Sequence, residues 1–197
     1  ARPLVLFNAG AAGSAKVLTE AGASAIATSS WAVAAAQGYG DGQQLPLERV
    51  LSTVESIVRV TDLPVTIDVE AGYGNSPSDL ARTIRQVADR GAVGINLEDR
   101  ITGTDSLYGL EEHCARIRAA RQAMHVPIFI NAPTDVFFGG MPGTSAEEQL
   151  AEVLRRSVAY AGAGADGLFV PGAVDEALIG TLCAEVPIPV NVMVGKG

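Results

Sequence analysis

Short apolar runs that end in polar residues alternate with amphipathic stretches along the chain, which is the pattern of βα units around a parallel sheet. Seven such runs occur: "LVLFN" (Leu4 to Asn8), "AIATSS" (Ala25 to Ser30), "VTIDVE" (Val65 to Glu70), "GINLED" (Gly94 to Asp99), "IFINAPTD" (Ile128 to Asp135), "GLFVPG" (Gly167 to Gly172) and "VNVMV" (Val190 to Val194). Between them lie helical segments such as "PSDLARTIRQVADRG", "LEEHCARIRAARQAM" and "SAEEQLAEVLRRSVAYAG". These are acidic where they begin and basic or glycine-terminated where they end, as the helix dipole favours.

The runs fall into two classes. A glycine-led step opens the second, fourth and sixth at Gly22, Gly91 and Gly164, whereas the odd runs are entered through Pro3, Pro64, Pro127 and Pro187 or Pro189. In a (β/α)8 barrel each interior layer draws its side chains from alternate strands, so odd and even strands differ; an open doubly wound sheet gives no reason for the difference. The expected fold is therefore α/β, a TIM-type (β/α)8 barrel forming a single domain over residues 1–197. Seven runs are one short of eight. The chain ends at "NVMVGKG", directly after a run, and a full barrel takes about 250 residues, so the last βα unit is expected to be missing from this chain.

Composition narrows the class. With 48% hydrophobic residues the chain can bury a core without staples, and Cys114 and Cys183 lie far apart with no CxxC, which points to a reducing, cytoplasmic setting. A net charge of −8 without basic runs argues against nucleic acid and anionic membranes as partners and leaves small molecules. No signal peptide or membrane span is visible, and a start at "ARPLVLF" without Met is consistent with a lost N-terminus.

In a parallel barrel the chemistry sits at the C-terminal strand ends. There the acids gather: Asp68 and Glu70 end the third run, Glu98 and Asp99 the fourth, and Asp41 lies in the "GYGDG" loop after the second. Carboxylates crowded at one apolar mouth repel one another unless a cation neutralises them. Hard oxygen ligands with no His or thiol cluster suggest Mg²⁺ or Mn²⁺. A single such acid would more simply cap a helix or face solvent, but several at adjacent strand ends favour a metal site.

Ser29, Ser30 and Trp31 end the second run, where backbone N–H groups at a strand-to-helix turn can hold a carboxylate or phosphate; a serine N-cap on "WAVAAAQGYG" is compatible with this. Asn191 is a binding candidate from the seventh run, ahead of Asn8 and Asn131. Tyr73 could reach over the mouth or simply pack. His113 and Cys114 are adjacent within a helical pattern, where neighbours diverge, and do not make a catalytic pair. "AGAAGSA" and "AGAGADG" match neither a P-loop nor a dinucleotide fingerprint.

Taken together, "SSWAVAAAQGYGDG", "DVEAGYG" and "GINLEDR" resemble the isocitrate lyase/phosphoenolpyruvate mutase superfamily over nearly the whole chain. The resemblance implies a (β/α)8 barrel, a homo-oligomer (dimer or tetramer) through exchange of C-terminal helices, and Mg²⁺ binding a small 2-oxo acid or its enolate. It implies Asp68 as direct metal ligand, with Asp41, Glu70 and Glu98 holding the ion's waters. Asp41, Asp68 and Glu70 thereby form the catalytic set, and Ser29, Ser30, Trp31 and Asn191 the substrate-binding set.

The departures are informative. The K-[KR]-C-G-H loop of isocitrate and methylisocitrate lyases reads "RITGTDSLYGLEEH" here, which excludes their cysteine mechanism and leaves a segment with the composition of a lid. The family's N-A-R-T-D has Pro133 in place of Arg, which removes a cationic fork for a second anionic group. Arg100 could compensate or form a salt bridge. A lyase Glu is Gly172 here, and the usual Trp-Asp is Gly10 and Ala11. The reading that follows is a Mg²⁺-dependent lyase or hydrolase acting on a small 2-oxo acid, of the oxaloacetate decarboxylase or phosphonopyruvate hydrolase kind. A non-catalytic carboxylate-binding member and an aldolase-like barrel are the alternatives.

Overall fold

The computed structural model describes residues 3–74 and 76–194. The apolar runs form seven short strands: β1 (Phe7–Ala9), β2 (Ile26–Thr28), β3 (Val65–Asp68), β4 (Gly94–Asn96), β5 (Phe129–Pro133), β6 (Gly167–Phe169) and β7 (Val190–Asn191). They pair in chain order, all in parallel. The helices that return the chain are α1 (Ala12–Glu20), α2 (Ser30–Ala35), α3 (Leu47–Val58), α4 (Pro77–Ala88), α5 (Leu110–Gln122), α6 (Ala146–Ala163) and α7 (Glu176–Glu185).

Strand alternation separates two faces. Val65, Ile67, Ile95, Ile130, Ala132 and Leu168 pack outward against the apolar stripes of the helices, such as Val54 and Ile57 on α3, Leu80, Ile84 and Val87 on α4, and Ile117 on α5. The inner face carries the polar strand-end residues together with a few apolar ones. Register puts Asp68, Asn96, Asn131 and Gly167 level across β3 to β6, and Pro133, Phe169 and Asn191 level in a row above.

Local chemistry explains the element ends. Ser145 and Glu148 form a reciprocal capping box that starts α6, and Ser76 caps α4 ahead of Pro77. The three glycines of the repeat, Gly22, Gly91 and Gly164, all have positive φ (87°, 91° and 108°), so the repeat marks left-handed helix ends that lead into even strands.

Among the described residues the sheet is a curl of seven strands with seven α-helices, consistent with part of a TIM-type barrel. Among the described residues nothing pairs β7 with β1, so the curl is open along that edge. Among them, too, no helix is long and apolar enough to cross a membrane.

Candidate active site

The apolar strand β3 delivers Asp68 to the inner face, and the chain fixes both carboxylate oxygens with main-chain donors. The Ser30 N–H donates to Oδ2 (3.1 Å) and the Glu70 N–H to Oδ1 (3.0 Å), while the Asp68 N–H is held by Thr28 Oγ1 (2.9 Å). The strand stops there because Glu70 turns left-handed, with φ 50°, followed by Gly72 (φ 93°) and Tyr73 (φ 52°). Three positive φ values within four residues make a tight turn that folds Glu70 back over the mouth. Its Oε2 accepts from the Gln43 N–H (2.7 Å) and its Oε1 from the Tyr73 hydroxyl (3.1 Å). Arg116 on α5 braces this turn from behind, donating to the carbonyls of Ala71 and Gly74 while its guanidinium stacks 4.6 Å from the Tyr108 ring centroid.

Glu98 stands beside Glu70, its N–H donating to the Glu70 carbonyl (2.9 Å). Burial raises the pKa of Asp68, against the lowering effect of the two N–H donors. Burial, then the charge of Asp68, pushes Glu70 up to about 7, and the same two causes in the same order push Glu98 up to about 9. The Asp41 carboxylate adds repulsion to all three from an exposed loop. Proton uptake or a cation would relieve this crowding. Among the described residues no three His, Cys, Asp or Glu side chains are grouped to hold one ion. The donor set instead suits a hard ion with one direct carboxylate and a retained water shell, as Mg²⁺ prefers.

Ser29 Oγ caps α2, accepting from the Ala32 N–H (3.4 Å), and the Ser30 N–H is engaged by Asp68. Trp31, in the first turn of α2, is 66% exposed. Asn191 is on β7, level with Phe169 and Pro133. Asp99 is not at the mouth. It turns to the outer face, fully buried, and accepts from Thr134 Oγ1 (2.7 Å), the Asp135 N–H (3.0 Å), Arg156 Nη1 (3.0 Å) and the Tyr160 hydroxyl (2.8 Å). Strand alternation explains this, since the residue after an inward Glu98 must face the helices.

Arg100 is committed to a salt bridge, its Nε donating to Asp135 Oδ2 (2.6 Å) with Asp105 and the Phe138 carbonyl as further partners. Asp135 ends the fifth run, and its charge reaches Glu98; the strand-end rule that selects Asp68 selects it as well. Thr28, Gln43 and Arg116 also shape the site. They act on or through main-chain groups, which leave no residue-type signal. His113 and Cys114 are both buried in α5, away from the mouth, with burial holding His113 down at about 4.

A parallel βα curl that carries crowded, main-chain-clamped carboxylates at its strand ends defines a TIM-type α/β protein with an acidic mouth. The chain matches the phosphoenolpyruvate phosphomutase family model over residues 1–197 and belongs to that family, within the PEP mutase/isocitrate lyase superfamily. It is similar to 2-methylisocitrate lyase of Salmonella typhimurium (strain LT2), 33% identical over 201 residues, covering 96% of this chain and 65% of that protein. A crystal structure from Burkholderia cenocepacia J2315 that carries a provisional phosphonomutase name superposes with a TM-score of 0.93 at 53% identity, covering 98% of this chain and 78% of that one. Phosphonopyruvate hydrolase in complex with oxalate and Mg²⁺ shares the fold, with a TM-score of 0.87 at 23% identity, covering 98% of this chain and 67% of that one. The chain thus spans about two thirds of the length of the 2-methylisocitrate lyase it matches.

Proposed function

We propose that this chain belongs to a Mg²⁺-dependent lyase or hydrolase that cleaves the C–C or P–C bond next to the keto group of a small 2-oxo acid. The observation that carries the reading is the set of three crowded carboxylates, Asp68, Glu70 and Glu98, the first two fixed by main-chain donors and all three raised in pKa by burial and by neighbouring carboxylate charge. Such an arrangement costs stability in the absence of a cation.

Asp68 would hold the ion directly, and Glu70, Glu98 and Asp41 would orient its waters. Mn²⁺ would fit the same oxygen set. When bound, the ion supplies positive charge beside the substrate's carboxylate and keto oxygens, where charge develops as the adjacent bond breaks. The main chain of Ser29 to Trp31 would orient the substrate carboxylate, with Ser30 contributing through its contact with Asp68. Asn191 would line the far side. The 101–107 segment would close over the mouth and exclude water. A homo-oligomeric assembly accompanies this reading.

A screen of small 2-oxo acids for release of pyruvate, CO₂ or phosphate, with and without Mg²⁺, tests it. Turnover that requires Mg²⁺ and is lost in Asp68→Ala supports the assignment. Binding without turnover of any member supports a carboxylate-binding protein instead.

A further inference from the structure

The two halves of the mouth differ in charge, and the difference carries information about the substrate. Over β2 to β4 lie the acids and the main-chain donors. Over β5 to β7 the upper inner row reads Pro133, Phe169 and Asn191 in register, with Glu98 level with Pro133 because Asn96 pairs with Asn131 two residues earlier. One row lower, among the described residues, the only side-chain functional group on that side is the amide of Asn131. This residue is 8% exposed, its Nδ2 donates to Asn96 Oδ1 (2.9 Å), and its buried Oδ1 has no partner among the described residues.

Among the described residues no cation compensates. Between Arg121 and Arg155, and again from Ser157 to Val194, the sequence has neither Lys nor Arg, so the loops after β5 and β6 and the residues that follow β7 as far as Val194 bring no positive side chain. The arginines that pack near this half are already engaged. Arg100 is held by Asp135, Asp105 and the Phe138 carbonyl, and Arg156 by Asp99, Glu152 and the Tyr108 carbonyl. Asp135 itself adds negative charge next to Glu98.

We infer that the substrate's second end is uncharged: a 2-oxo acid whose tail, lying over Pro133, Phe169 and Asn191, is apolar or carries a hydroxyl rather than a carboxylate, sulfonate or phosphonate. This rests on the metal and 2-oxo acid reading above. An anionic tail would be desolvated against an aromatic ring and proline, stand level with Glu98, on which the charge of Asp135 also acts, and find only acceptor oxygen below it. A hydroxyl loses little in the same place, because the Asn191 amide and the orphaned Asn131 oxygen can pair with it. Exclusion of charge rather than attraction thus sets the specificity.

Competition calorimetry in saturating Mg²⁺ tests the inference. Oxalate, which has no tail, is bound first and displaced by 2-oxobutanoate, 4-hydroxy-2-oxobutanoate, sulfopyruvate and phosphonopyruvate. The expected result is that the neutral tails bind at least about tenfold tighter than the charged ones, in line with the cost of like-charge contact. In a Pro133→Arg variant whose melting temperature matches the parent, the order should reverse. Equal or tighter binding of sulfopyruvate or phosphonopyruvate by the unaltered protein, with oxalate still bound, overturns the neutral-tail inference while leaving the metal reading in place. Failure of oxalate to bind in Mg²⁺ overturns both.

Discussion

Arg156 on α6 donates from Nη1 to Oδ2 of Asp99 at 3.0 Å, with the two side chains 7% and 0% exposed. The same carboxylate receives Thr134, Tyr160 and the Asp135 N–H, so one buried charge ties the ends of β4 and β5 to α6 behind the mouth. Removing one partner of such a pair strands the other. Arg156→Met is therefore expected to destabilise the fold by about 3–5 kcal/mol, read from the urea midpoint. A change below about 1 kcal/mol would mean that the pair is solvated in solution.

His113 sits behind the same network, its ring 4.9 Å from that of Tyr160, with both nitrogens buried and unpartnered among the described residues. Burial, aided by the charges of Arg116 and Arg156 and opposed by Asp99, lowers its pKa from the ordinary 6.5 to about 4. In the unfolded chain the ring gains its proton as pH falls below about 6.5, while in the fold it stays neutral down to about 4, so stability drops across that window. The predicted sign is a loss on acidification that is reduced in His113→Phe, measured as urea midpoints at pH 7, 5.5 and 4.5. An unchanged pH slope in the variant would assign the acid sensitivity to other groups.

The turn that carries Glu70 depends on Gly72, where φ is +93° and an added Cβ would come within 2.2 Å of Leu80 Cδ1. Gly103, with φ +76° and open space around it, is the matched control. Gly103→Ala should cost about 1 kcal/mol for its backbone conformation alone. Gly72→Ala should cost more, roughly 1–3 kcal/mol, and should also weaken Mg²⁺ binding, because the displaced turn moves Glu70. Equal effects of the two substitutions on Mg²⁺ affinity would disconnect the turn from the site.

The 100–108 segment is pinned at its base by the Arg100–Leu107 bridge, the Ile101 N–H to Ser106 carbonyl bond (2.9 Å) and the Tyr108 N–H to Asp99 carbonyl bond (2.7 Å). Its tip at 102–105 is exposed. Amide hydrogen exchange across 101–107 should slow when Mg²⁺ and oxalate are added together, as expected of a lid closing over the mouth. Identical exchange in the two conditions would rule out a lid role for this segment.

Much of this architecture is legible in the residues, and the gaps have physical reasons. The glycine and proline punctuation locates all seven strands and marks the inward Asp68, Glu70 and Glu98. The runs overshoot the strands because the chain leaves β geometry through left-handed residues such as Glu70, which no apolar pattern signals. Asp99 reads like a fourth mouth acid until strand alternation is applied to "GINLED", which sends it to the helix side. The grips of Gln43 on Glu70 and of Arg116 on the 71–74 turn use main-chain atoms, so they become visible only once the chain is folded.

The most direct test of the central claim is a calorimetric titration of the protein with Mg²⁺ and then oxalate, in parallel with Asp68→Ala. Oxalate binding should require Mg²⁺ in the parent protein and be absent in the variant. Metal-independent oxalate binding, or binding retained in Asp68→Ala, would show that the carboxylates of the β3 and β4 ends do not form the site.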